Sequence, residues 1–334
     1  MKLGTVPDGS RDGALVVVLQ DSGLVAKVPA RVAPSLRVAL EQWAEVEQEL
    51  RRIERQAREG RWPEVKPLTA VRFLAPLPRT TSWIDGSAFV QHILLVRKAR
   101  GAEPPADLRT VPLMYQGVGD PLLAPTAPIE AASEEWGIDL EAEVAVVLDD
   151  VPAGTAAADA GRHIKLLVLM NDVSLRGLIP RELAAGFGFF QGKPPSSLGP
   201  FAVTPDELGP AWRDGRLHLP LHVQVNGKRI GDPDCGEMLF SFPQLVEHAA
   251  RTRPLPAGTV LGSGTVSNAD EARGCGCLAE VRTLEQIKTG APATPFLRFG
   301  DTVRLEVLQD GRSVFGAIEQ AVRQAPAQQV RQTP

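Results

Sequence analysis

Apolar and polar positions alternate most regularly between Ile138 and Leu148, where Leu140, Ala142, Val144 and Val146 fall on one side of an extended chain and Asp139, Glu141 and Glu143 on the other. Same-face residues of a strand lie ~6.6 Å apart. The three carboxylates can therefore lean toward one point, and joint ionisation in a partly buried place is then strongly disfavoured unless a cation intervenes. A hard divalent ion with oxygen ligands is the simplest remedy, although a Glu-x-Glu pair on a solvated strand gives the same pattern.

The remaining periodicity predicts a β-rich chain. Ala14 to Leu19 and Leu24 to Val28 read as strands joined by a turn at Asp21-Ser22-Gly23. Pro34-Ser35 opens a helix in which Leu36, Leu40, Trp43, Leu50 and Ile53 recur at helical spacing down to Arg58. Prolines crowd residues 63–78, which places a boundary between a small N-terminal β/α domain (1–72) and a larger domain (73–323). In the larger unit, Ala88 to Arg100 reads as a helix with Asp85 and His92 on one face, ~10 Å apart along its axis and so unable to share one ion. Val151 to Gly154 turns, Thr155 to Gly161 reads as a short helix, and Ile164 to Met170 as a buried strand that delivers Asn171-Asp172. Asn226-Gly227 and Asp310-Gly311 mark hairpins, and 324–334 is a polar tail. The predicted class is mixed α+β, rich in strands.

Composition changes this picture little. The chain has 334 residues, 43% of them hydrophobic, and a formal charge of −4, enough for a large core and without the basic excess that a nucleic-acid partner requires. No apolar run reaches the ~18 residues that span a bilayer, and the N-terminal stretch lacks a signal-peptide core, so no membrane association and a cytoplasmic location are expected. Cys235, Cys275 and Cys277 are an odd set, which fits a reducing compartment. His218 and His222 lie on a strand-like, proline-containing segment and are expected to be structural.

Four carboxylates from separate segments, Asp85, Glu141, Glu143 and Asp172, could together supply a hard-metal site. Their order and setting resemble the fumarylacetoacetate hydrolase family. The matching words are Asp85 with His92 seven residues on, Pro112-Leu113-Met114-Tyr115-Gln116-Gly117, Asp139-Leu140-Glu141-Ala142-Glu143, Met170-Asn171-Asp172-Val173-Ser174-Leu175-Arg176, Gln191-Gly192-Lys193, Gly262-Ser263-Gly264-Thr265-Val266-Ser267 and Cys277-Leu278-Ala279-Glu280. The resemblance implies a fumarylacetoacetase-like β-roll catalytic domain and a homodimer. It also implies Mg2+, or Ca2+ or Mn2+, on the four carboxylates, and a diketo or 2-oxo acid substrate. By the same resemblance His92 and Glu280 are the water-activating pair, Arg176 and Lys193 meet developing negative charge, Tyr115 and Thr265 touch substrate, and a substrate arginine after His92 is Arg97 or Arg100. Two departures stand out: Ile179 where fumarylacetoacetases carry a glutamine, and Ser87 where they carry a tyrosine.

The expected reaction is hydrolysis of a carbon–carbon bond in a β-diketo acid, with 4-fumarylacetoacetate, an intermediate of tyrosine and aromatic degradation, as the leading substrate. Attack by hydroxide on one carbonyl and departure of a carbanion both need charge stabilisation, which a Lewis-acid ion, a histidine base and cationic donors provide. Acylpyruvate hydrolysis, oxaloacetate decarboxylation and 2-oxo acid isomerisation are the alternatives on the same scaffold. A non-catalytic, metal-stabilised binding protein is the alternative from another class. Each residue also has a plainer role open to it: His92 as a helix packing residue, Glu280 as a partner of Arg282, Lys193 as a solvated cation, Tyr115 as a buried anchor.

Overall fold

The computed structural model describes residues 1–99 and 101–326. The apolar alternation of the acidic stretch persists, but not as one strand: Ile138–Asp139 pairs with Ser174–Leu175 in a separate two-stranded sheet, Ala142–Leu148 lies in the long sheet, Leu140 and Glu141 fall between them, and both faces are buried. Leu140, Ala142, Val144, Val146 and Leu148 enter one hydrophobic core, while Ala145 and Val147 enter a second. The strand Ala142–Leu148 thus lies between two apolar layers, and its neighbour Ile164–Asn171 divides its side chains the same way. The solvated-edge reading of the glutamates is excluded by this placement, since Glu141 and Glu143 are 4% and 0% exposed.

Among the described residues the longest sheet has eleven strands. Its path runs from Val65–Pro67 through Leu24–Lys27, Ala14–Leu19 and Lys2–Val6 to the short strand Ala202–Val203, then through Ile164–Asn171, Ala142–Leu148, Val260–Gly262 and Trp83–Gly86 to Met114–Gly117. The N-terminal strands therefore continue the sheet that holds the acidic residues, joined where Lys2 and Leu3 pair with Val203 and Ala202. A six-stranded sheet, with Leu221–Val225, Thr302–Gln309 and Ile318–Gln324 in its middle, packs on the other side of the first core. Neither path closes into a barrel.

The N-terminal helix is two helices, Leu36–Glu41 and Trp43–Arg58, broken at Gln42, with the Ser35 hydroxyl capping the first. Both expected hairpins form, with Asn226-Gly227 and Asp310-Gly311 all at positive φ, the conformation their turns require. The helix after Asp85 begins at Val90 rather than Ala88. Asp85 lies on the strand Trp83–Gly86, so it and His92 occupy different elements and not one helix face.

Candidate functional site

Asp85 is delivered by a strand paired in parallel with Val260–Gly262, directly opposite Gly262. A Cβ at Gly262 would stand 2.7 Å from Asp85 Oδ1 and closer still to Trp83, so glycine makes room for the carboxylate. Gly264, at φ +78°, donates its N–H to the same oxygen at 2.9 Å. Glu143 faces Met170 across the sheet, and Asp172 follows the end of that neighbouring strand. The ends of the two strands brace each other: Glu141 N–H donates to Asn171 Oδ1 at 3.1 Å, and Asp172 N–H donates to the Glu141 carbonyl at 3.0 Å.

Oxygens of Asp85, Glu143 and Asp172 lie within 4.8 Å of one another, all buried. Both Glu143 oxygens lack a hydrogen-bond partner. Burial and the neighbouring Asp172 and Glu141 push the Asp85 carboxyl up to about 7, with Lys193 pulling the other way. Burial and Asp85 push Glu143 well above the ordinary carboxylate range. Glu141 goes the other way. Against the cost of burial, Lys193, Arg176 and His92 hold it below the usual range. Lys193 Nζ donates to Glu141 Oε2 and Asp172 Oδ2, both at 2.6 Å, and these two carboxylates keep its ammonium above its ordinary value despite burial. Ser196 Oγ donates to Asp172 Oδ1 at 2.7 Å, and Tyr115 donates its hydroxyl to Oδ2.

An unpartnered, fully buried carboxylate beside two others is costly, and a divalent cation with oxygen preference removes that cost. The donor set fits such an ion. Asp85, Glu143 and Asp172 converge as three of the four expected ligands. Glu141 borders them with its oxygens in ion pairs to Lys193 and, at 2.7 Å, Arg176 Nη2.

His92, on the helix Val90–Ala99, meets Glu280 from the first turn of the helix Leu278–Thr289, with Nδ1 2.8 Å from Oε1. With the carboxylate as acceptor, Nδ1 is the donor, which in the neutral ring leaves the lone pair on Nε2. Nε2 stands 4.0 Å from Glu141 Oε1, on the side of the carboxylate cluster. Asp139 plays a different part from the glutamates. It accepts the N–H groups of Leu278 and Ala279 at 2.8 and 3.0 Å and Arg176 Nε at 2.9 Å. It thus anchors the start of the helix that presents Glu280.

Part of this set borders a cavity of about 330 Å³. Asp85, Glu141, His92, Arg176 and Lys193 form its polar side, and Ile93, Val96, Leu183 and Phe189 its apolar side. Thr265 lines it with a buried hydroxyl that has no protein partner, and Tyr115 lines it with its ring under Lys193 Nζ at 5.1 Å. Arg97 also lines it, with a guanidinium N–H donated to the Glu103 carbonyl at 2.9 Å. Arg100 lies outside the described residues. Both departures, Ser87 and Ile179, face the same space. His222 has a structural partner in Asp232, at 2.5 Å, away from this cavity.

Three residues of the site escape sequence reasoning. Ser196 follows two prolines with no motif of its own, Asp139 is disguised as a third member of an acidic face, and Cys277 lies within 4.8 Å of His92 and Glu280 although its one-residue gap to Cys275 rules out a familiar metal spacing.

Comparison with known proteins gives two family matches. The "Fumarylacetoacetate (FAA) hydrolase C-terminal" model covers residues 81–323, and "Fumarylacetoacetase N-terminal domain 2" covers residues 1–79. Oxaloacetate tautomerase YisK of Bacillus subtilis is 27% identical over 60% of this chain and 64% of its own length, so the match spans less than two thirds of that relative. A 2,4-didehydro-3-deoxy-L-rhamnonate hydrolase of Sphingomonas is 25% identical over 59% of this chain and 67% of its own. Among solved structures, maleylpyruvate hydrolase from Sphingobium, in complex with manganese(II) and pyruvate, superposes with a TM-score of 0.66 at 18% identity, over 97% of this chain and 100% of that one. Fumarylacetoacetate hydrolase of Exiguobacterium antarcticum gives the same TM-score and coverage at 19% identity. At these identities the solved structures share the fold.

Proposed function

We propose, from the premise that the chain belongs to the fumarylacetoacetate hydrolase family, that it hydrolyses a carbon–carbon bond in a β-diketo acid, with 4-fumarylacetoacetate as candidate substrate and fumarate and acetoacetate as products. The observation that carries the reading is the His92–Glu280 pair at 2.8 Å, whose histidine shares one cavity with Asp85 and Glu141. Decarboxylation needs an electron sink but no activated water. Hydrolysis needs a base, and His92 Nε2 is placed to be one.

In this reading, a water proton passes to His92 Nε2 while Glu280 holds Nδ1–H and balances the imidazolium. The water oxygen bonds to one carbonyl carbon, the carbon–carbon bond breaks, and its electron pair stays on the departing carbon as an enolate. The proton on His92 then returns to that carbon. Lys193, Arg176 and the Tyr115 hydroxyl border the space where negative charge grows, and Thr265 offers its free hydroxyl to substrate. Asp85, Glu143 and Asp172, with Glu141 beside them, would hold a divalent cation, Mg2+ with Ca2+ or Mn2+ as substitutes, whose chemistry is Lewis-acid polarisation and orientation of a dicarbonyl. Arg97 is the described cation placed for a distal carboxylate. Homodimer assembly and a cytoplasmic location belong to the same reading.

A second reading, keto–enol isomerisation of a 2-oxo acid, gains support from Ile179, which puts an apolar wall where a glutamine donor is expected, and from the tautomerase among the relatives. The deciding experiment supplies Mg2+ and compares release of fumarate and acetoacetate from 4-fumarylacetoacetate with conversion of enol- to keto-oxaloacetate. Turnover of oxaloacetate alone, with every diketo acid untouched, rejects hydrolysis.

A further inference from the structure

A ring nitrogen of His92, Cys277 Sγ and a Glu280 carboxylate oxygen lie within 4.8 Å of one another, beside the carboxylate cluster and distinct from it. The two groups differ in chemistry. Asp85, Glu143 and Asp172 offer hard oxygens alone, whereas this second set offers an imidazole nitrogen, one oxygen and the Cys277 sulfur, a thiol that burial, Asp139 and Glu280 hold protonated until an ion displaces its proton, the mixture that selects Zn2+ or another thiophilic ion over Mg2+ and Ca2+. Three ligands, His92 on one helix and Cys277 and Glu280 at the N-cap and in the first turn of another, leave one tetrahedral position for water. His92 lines the cavity, while Cys277 and Glu280 are buried.

We infer that His92, Cys277 and Glu280 form an inhibitory site for a thiophilic divalent cation, Zn2+ foremost, separate from the hard-cation site. The ion takes the place of the hydrogen bond between His92 Nδ1 and Glu280 Oε1. The Cys277 thiol proton is released to solvent, and the Nδ1 proton is relocated to Nε2 as the ring changes tautomer. The lone pair that faces the cavity is thereby lost, and with it the base. The inhibitory consequence rests on the hydrolase reading of His92; the binding site does not.

The test is an anaerobic titration of the full-length protein with Co2+ in saturating Mg2+. A thiolate-to-cobalt charge-transfer band with intense tetrahedral visible bands is expected, bleached by Zn2+, lost in Cys277→Ser and in Cys277→Ala, and kept in Cys275→Ser. The alanine variant guards against a misfolded serine variant, and circular dichroism verifies both folds. Absence of the band in wild-type protein, or its persistence in folded Cys277 variants, overturns the site. In a parallel assay, Zn2+ should inhibit turnover, with its half-inhibitory concentration rising at least about tenfold in Cys277→Ser, since loss of a ligand costs no less than the ~10- to 100-fold that loss of an outer partner costs. A cobalt band without zinc inhibition overturns the regulatory claim. Failure of the hydrolase reading is registered separately, by wild-type protein in Mg2+ without Zn2+ that leaves every diketo acid untouched.

Discussion

Removing the divalent cation should make the stability of this protein fall as pH rises, over a range where most proteins are at their most stable. With no ion present, Asp85 keeps its proton up to about 7, whereas in the unfolded chain it releases it near the ordinary 3.8. Between those values the folded state binds more protons than the unfolded state. Unfolding free energy therefore declines with pH, by about 1.4 kcal/mol per unit for one fully displaced group. From about pH 5 to about pH 7 this amounts to roughly 2 to 3 kcal/mol from Asp85, and Glu143, pushed upward by the same burial and repulsion, adds to it as the cluster titrates together. Asp12 and Asp206 do not blur the window. Their carboxyls are held low by Arg79 and Arg51, so their stabilisation is complete above the unfolded carboxylate range and is lost only in stronger acid. His248, lowered by burial, opposes the trend but does so equally with and without cation. The assay is urea unfolding followed by circular dichroism across this range, in EDTA and in saturating Mg2+. The stability gained from Mg2+ should widen as pH rises. A gain that is flat or shrinks with pH would refute the claim that these carboxylates confront one another until an ion joins them.

The other expectations follow from the same geometry. His92→Ala should lower kcat for a diketo acid by ~10²- to 10⁴-fold while Mn2+ affinity, read by calorimetry, is unchanged, because the histidine is outside the carboxylate group; weakened Mn2+ binding would contradict this assignment. Lys193→Met leaves Glu141 and Asp172 buried without their shared cation and should cost about 3 to 5 kcal/mol in EDTA, with part regained in Mg2+. Gly264→Ala forces a side chain into φ +78° with its Cβ 2.9 Å from the Gly86 carbonyl, so about 2 to 4 kcal/mol of stability should be lost and the cation affinity with it. Phe315→Ala, which empties a fully buried site in the core between the sheets, should cost about 3 to 5 kcal/mol and leave cation affinity intact, a control that separates packing from site geometry.

Local sequence carried much of this molecule. Period-two alternation located the strand of Glu143, the apolar run ending at Asn171 located Asp172, and Asn226-Gly227 located a hairpin, because each of these is decided by residues adjacent in the chain. The family words point to His92, Glu280, Lys193 and Arg176. Neither source could give the division of labour among the acids. Asp139, Glu141 and Glu143 share one strand-like pattern, yet one caps a helix and pairs with Arg176, one is neutralised by Lys193 and Arg176, and one is left without a partner. That outcome depends on which cation approaches from segments 35 to 52 residues away in the chain, and pairing over such distances leaves no periodic trace. The same holds for Ser196 on Asp172 and for Cys277 beside His92, whose meeting is set by the packing of two helices and not by any spacing. Sequence determined which elements form and which side chains bear charge; tertiary structure alone decided which charges are compensated in the dry interior, and the uncompensated ones make a place for an ion.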